Sequence, residues 1–147
     1  MKLKFKRQKF QEDAAIAVCD VFAGQPFTSP TYIIDTGSTD GTQAAMFDTG
    51  YNNRKIMISD DVVLNNLREV QKRSQIQPSS KLEGHYNLTI EMETGVGKTY
   101  TYIKTIYELN KRYGWCKFIV VVPSVAIREG VFKSFEITKE HFVEEYN

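Results

Sequence analysis

Met92-Glu93-Thr94-Gly95-Val96-Gly97-Lys98-Thr99 is the stretch on which the fold assignment turns. It follows an alternating apolar run, Leu88-Thr89-Ile90-Glu91-Met92, and opens an amphipathic run from Tyr100 to Tyr113. A strand, a glycine loop and then a helix form the setting that a phosphate-gripping P-loop requires. The glycines let successive backbone N–H groups curl inward toward an anion, and the following helix adds its positive end. Lys98 brings a point charge for the β- and γ-phosphates, and the Thr99 hydroxyl can ligate Mg²⁺. The pattern departs from Gly-x-x-x-x-Gly-Lys-Thr at its first position, where Met92 stands. These residues point to a bound nucleoside triphosphate.

Working outward, residues 117–122 (Lys-Phe-Ile-Val-Val-Val) form a continuous β-branched run closed by Pro123. Such a run predicts a central strand of a parallel sheet, covered on both faces. Residues 87–122 would then make one β–loop–α–β unit with a right-handed crossover. Two more helices are expected over 124–135 and 138–146. Upstream, the spacing of Phe10, Ala14, Ala17, Val18, Val21 and Phe22 predicts a helix over 8–22, ended by Ala-Gly-Gln-Pro at 23–26. Residues 27–53 are rich in Thr, Ser, Gly, Asp and Asn and read as a mobile loop with a short strand at 32–34. Residues 54–58 alternate like a strand. Ser59 or Asp60 caps a helix to about 75, with Val62, Val63, Leu67 and Val70 facing inward. The expected fold is a partial RecA-like P-loop domain, a three-layer α/β/α arrangement on a mainly parallel sheet. Its parts are a helix-bearing segment at 1–26, an insertion and linker at 27–86, and the P-loop core with its following helices at 87–147.

Composition sets wider bounds. The chain has 147 residues, 41% of them apolar, with nine Phe, eight Tyr and one Trp, enough for a globular core. A formal net charge of +1 gives no global basic field for nucleic acid. Basic residues crowd positions 2–9 and glutamates positions 136–145, a pattern usual for solvated faces. Cys19 and Cys116 lack a pairing pattern and read as free thiols in a reducing compartment. No apolar segment has the length of a membrane span or a signal core, so a cytoplasmic location is expected.

Three further groups invite chemistry. Gln11 follows Phe10 on the first predicted helix; an amide can both donate to and accept from adenine, and an aromatic neighbour can stack on the base. Ser124 and the amides after it can cap a helix toward a phosphate backbone, with Arg128 adding charge. Glu93 beside the loop would repel phosphates and is a poor catalytic base. His85 and His141 have no metal-ligand spacing. The aromatic residues from Tyr100 to Trp115 read as core and rim rather than as a stacking platform.

The combination of Phe10-Gln11-Glu12-Asp13-Ala14, the 92–99 loop and the run Phe118–Val131 closely resembles the N-terminal part of the Res subunit of type III restriction-modification enzymes. These are superfamily 2 helicase-like ATPases joined to a nuclease. The resemblance implies that Gln11 reads adenine, and that Thr94, Gly95, Val96, Gly97, Lys98, Thr99 and Tyr100 hold the triphosphate, with Phe10 beside the base. Lys98 and Thr99 would be the catalytic members, Thr99 the Mg²⁺ ligand, and Ser124 and Arg128 would touch DNA. ATP and Mg²⁺ are the implied cofactors; DNA and a methylation and specificity subunit are the implied partners. The acidic box that such motors carry downstream does not occur in these 147 residues. Nor do a second lobe with its arginine fingers or a nuclease domain. One arginine finger is worth about 10³–10⁵ in rate, so a chain ending at Asn147 is expected to be a nearly inert fragment of an ATP-dependent deoxyribonuclease. Exposed sheet edges would invite self-association. Two other readings stand beside this one: a small P-loop kinase or other NTPase, and a non-catalytic assembly domain whose loop holds no nucleotide.

Overall fold

A computed structural model describes residues 5–29, 32–33, 50–51 and 53–146. Among the described residues there are four helices: α1 (Lys9–Val21), α2 (Asp60–Arg73), α3 (Lys98–Tyr113) and α4 (Val125–Tyr146). α1 packs on both α2 and α3, and α3 packs on α4, so α1 and α3 form the centre. A two-residue antiparallel pair, β1 (Tyr32–Ile33) with β2 (Gly50–Tyr51), is the sheet structure among the described residues. Most of the 27–53 loop expectation lies outside those residues.

The expected α/β fold with a parallel sheet is therefore overturned. Neither residues 88–92 nor residues 117–122 enter a ladder, and no β–α–β unit forms. A strand exists only where a neighbour takes its backbone N–H and C=O groups. Along 116–117 the backbone groups meet a side chain: Asn53 accepts from the Cys116 and Lys117 amides and donates to the Lys117 carbonyl. Phe118 packs on the core, while Ile119 and Val121 are 92% and 87% exposed. The β-branched run has the composition of a central strand without its covering layers. With no parallel sheet among the described residues, the expectation of self-association through sheet edges loses its basis.

Other differences are local. Residues 54–58 are not a strand; buried Gln25 holds them by donating to the Lys55 carbonyl and accepting from the Met57 amide. The two helices expected after Pro123 are one, because Glu136 and Ile137 continue the turn. Gln11, Ala15 and Cys19 form a buried i, i+4 series on α1; of the expected stripe Val21 and Phe22 are buried, but Phe10 is 47% exposed. Val63 of α2 is fully buried, with Leu67 and Val70 against the core, but Val62 is 40% exposed.

The main core joins Cys19, Val21 and Phe22 to Val63, Leu109, Tyr113 and Trp115. Burying each such large apolar side chain contributes roughly 1.5–3 kcal/mol. Burial pushes the Cys19 thiol up to about 12, so it is an inert core group. Asp20 accepts from Arg73 at 2.7 Å and Arg112 at 2.8 Å, tying α1 to α2 and α3. A second cluster closes α4 on α3, with Phe142 fully buried against the rings of Tyr100, Tyr107 and Tyr146. Both ends of α3 rest on left-handed glycines, Gly97 (φ 89°) at its start and Gly114 (φ 76°) at its end, where other residues are strained.

Candidate functional site

The loop turns through 94–96 and feeds α3 at Lys98. Gly95 (φ 83°) and Gly97 (φ 89°) both lie in the left-handed region, which bends the backbone before the helix. The first i→i−4 bond of α3 runs from the Thr101 amide to the Gly97 carbonyl at 3.0 Å. The amides of Lys98, Thr99 and Tyr100 come before it and have no intrahelical acceptor. Space around Gly95 is open, with no atom within 4 Å of where a Cβ would stand. Thr94, Gly95 and Lys98 are exposed, and Val96, Gly97 and Thr99 are half-buried. Bent glycines, unpaired helix amides, open space and an exposed lysine suit a polyanion.

Gln11 meets this loop across 85 residues of sequence. Its Nε2 donates to the Val96 carbonyl at 2.7 Å, and the residue is only 9% exposed. A Cβ on Gly97 would stand 2.5 Å from that Nε2, so another residue there would displace the Gln11 amide as well as strain φ. Beside this contact is a shallow recess lined by Arg7, Gln8, Gln11, Glu12, Tyr100 and Lys104.

Tyr100 forms part of the wall. Its hydroxyl is 2.8 Å from His141 Nε2, and its ring stacks near Phe5. Burial raises its pKa, with Glu145 adding to the effect. Phe10, expected beside the base, is not among the lining residues. His141, given no role from sequence, is the partner of Tyr100. Arg7, Lys104 and Glu145 were also missed. The one sequence signal was the i, i+4 spacing of His141 and Glu145 on a helix.

Ser124 and Arg128 are not brought to the loop. Ser124 caps α4, its Oγ accepting from the Ile127 amide at 3.3 Å. Arg128 pairs with adjacent Glu129 at 3.0 Å, and both are exposed. Arg128 lies about 20 Å along α4 from His141 at the helical rise of about 1.5 Å per residue. Among the described residues no group of three or more His, Cys, Asp or Glu could hold a metal ion. A hard cation here would take the Thr99 hydroxyl together with ligand oxygens. No helix among the described residues is long and apolar enough to cross a membrane.

The family described as Type III restriction enzyme, res subunit, matches residues 45–147. The chain belongs to that family. Over 98 residues it is 40% identical to the type III restriction-modification enzyme EcoP15I Res subunit of Escherichia coli. Over the same length it is 37% identical to the EcoPI Res subunit of Escherichia phage P1. Both comparisons cover 64% of this chain and 10% of the relative. The StyLTI Res subunit of Salmonella typhimurium is 45% identical over 62 residues, 41% of this chain and 6% of that protein. The chain thus spans about a tenth of the length of the first two Res subunits. The match to the Res family takes in the loop, α2, α3 and α4 and begins well after Gln11. The Gln11–Val96 hydrogen bond is one of the contacts that join the N-terminal helix to the matched region, beside the Asp20 ion pairs with Arg73 and Arg112.

Proposed function

We propose that this chain is the ATP-binding region of a DNA-translocating type III restriction subunit. The observation that carries the reading is the hydrogen bond from Gln11 to the carbonyl of Val96. It supports the reading because it is a contact between an amide side chain and the glycine loop. Residues 94–99 wrap the triphosphate, Lys98 meets the β- and γ-phosphates, and the first amides of α3 add the helix dipole. Thr99 would be the protein ligand of a Mg²⁺ ion, which would supply positive charge to offset that of the phosphates.

Base choice follows from the direction of the Gln11 bond. One hydrogen of its Nε2 is given to Val96, which leaves the second to donate to a purine N7 and Oε1 to accept beside it. The exocyclic amine of adenine is a donor, whereas guanine has a carbonyl oxygen at that position. An accepting amide therefore favours ATP. In the longer protein, ATP turnover would drive movement along DNA, with Ser124 and Arg128 near the strand and a methylation subunit choosing the site. The deoxyribonuclease activity would need parts beyond these residues.

Competition between ATP and GTP for a fluorescent nucleotide tests the reading. The wild-type chain should prefer ATP, and Gln11→Ala should bind both equally. Equal affinities in the wild-type chain would remove the base-reading role.

A further inference from the structure

Three of the six residues that line the recess are held by one end of α4. Glu145 Oε1 is 2.6 Å from Lys104 Nζ and 3.7 Å from Arg7 Nη2. Its Oε2 is 3.4 Å from His141 Nε2, and His141 holds the Tyr100 hydroxyl. Arg7, Lys104 and Tyr100 line the recess beside Gln11, but Glu145 does not. They come from different segments: Arg7 precedes α1, Lys104 and Tyr100 belong to α3, and Glu145 to α4.

Burial makes this arrangement costly as a mere fastener. The Lys104 and Glu145 side chains are 5% and 12% exposed, and Glu145 Oε2 is buried with no hydrogen-bond partner. A well-packed apolar pair commonly stabilises as much as a buried ion pair does. The carboxylate does something an apolar residue could not, which is to hold a cation at the rim. Arg7 is 71% exposed on its side chain, so its flat guanidinium is free to lie against a ring while its edge faces Glu145.

On the strength of the ATP reading of this site, we propose that Glu145 is the positioning residue for the base side of the recess. It fixes Arg7 and Lys104 as walls against which the purine of a nucleotide rests. The phosphate grip rests on residues 94–99 and the backbone amide of Tyr100, not on the side chains that Glu145 holds.

Calorimetric titration of the 147-residue chain with Mg-ATP and, separately, with inorganic tripolyphosphate tests this. Glu145→Gln keeps the shape and removes the charge. It should weaken ATP by about tenfold or more and leave tripolyphosphate unchanged. A fastener of α4 would lower both ligands together, and that result overturns the proposal, as does an unchanged ratio of the two affinities. Arg7→Gln alters an exposed side chain and gives the same test should Glu145→Gln fail to fold. It too should lower the ATP-to-tripolyphosphate ratio, and an unchanged ratio counts against the assignment. A wild-type chain that binds neither ligand removes the nucleotide reading itself, and Glu145 falls with it. A wild-type chain that binds both ligands equally leaves the loop as an anion site and removes only the base side.

Discussion

The side chain of Gln11 and the backbone of Val96 form a single hydrogen-bonded unit, Nε2 to carbonyl at 2.7 Å, in a place nearly closed to water. A net contribution of about 1–2 kcal/mol is expected from such a bond, because Val96 would otherwise keep a partly buried acceptor without a partner. Gln11→Ala should lower stability by that amount in urea titration followed by Trp115 fluorescence. Trp115 is the one tryptophan and lies 8% exposed in the main core, so its emission reports global unfolding.

Gly97 and Gly95 separate backbone strain from contact. Both have positive φ, so alanine at either is strained by roughly 1–2 kcal/mol. Only at Gly97 does the new Cβ also meet the Gln11 amide. Gly97→Ala should therefore cost about 1 kcal/mol more than Gly95→Ala, the value of the displaced hydrogen bond. In a double-mutant cycle with Gln11→Ala, that excess should vanish, since the bond is already gone. Additive effects would show that the two residues do not share it.

Gly114 ends α3 at φ 76°, and a Cβ there would run into the Thr28 carbonyl. That neighbour is backbone and cannot turn aside as a side chain would. Gly114→Ala should destabilise by about 2–5 kcal/mol, the sum of left-handed strain and overpacking. A loss under 1 kcal/mol in the same urea assay would show that the 27–29 segment gives way freely.

Asp20 sets an acid limit on stability. Burial alone would raise its carboxyl, but the hydrogen bonds and charges of Arg73 and Arg112 outweigh this and hold it below the usual carboxylate range. A group depressed in the folded state stabilises fully above its unfolded pKa of about 3.9, and that stabilisation fades as pH falls through the folded value. Stability should thus drop below about pH 4. Asp20→Asn should be weaker than wild type by about 1–2 kcal/mol at pH 7, with the gap narrowing below pH 4. A gap that stays constant down to pH 2 would rule out the linkage.

α1, α2 and α3 were readable because each carries its own period and end signals, whereas α4 reads as two helices although it is one. Ser59 before Asp60, and Gly114 after Tyr113, mark boundaries by local chemistry alone. The sheet was misjudged for the opposite reason. Residues 117–122 have a strand's composition, but a strand needs a partner elsewhere in the chain, and composition cannot supply one. The loop was legible from its glycines and lysine. The recess was not, because Arg7, Lys104, His141 and Glu145 each look like ordinary charged or isolated residues until α1, α3 and α4 bring them together. The buried stripe of α1 shows a milder form of the problem: Gln11 sits on the core side, where polarity argues against it, because Val96 offers an acceptor there.

The central claim is that residues 94–99 hold the phosphates of ATP, and calorimetry with Mg-ATP on the wild-type chain and on Lys98→Ala tests it most directly. Lys98 is exposed at the first position of α3, so its removal should leave Trp115 emission and stability unchanged. Saturable heat is expected in the wild type, with a loss of about tenfold or more in affinity for Lys98→Ala, as for a charged contact. No heat in the wild type, or equal affinity in the two proteins, would contradict the claim.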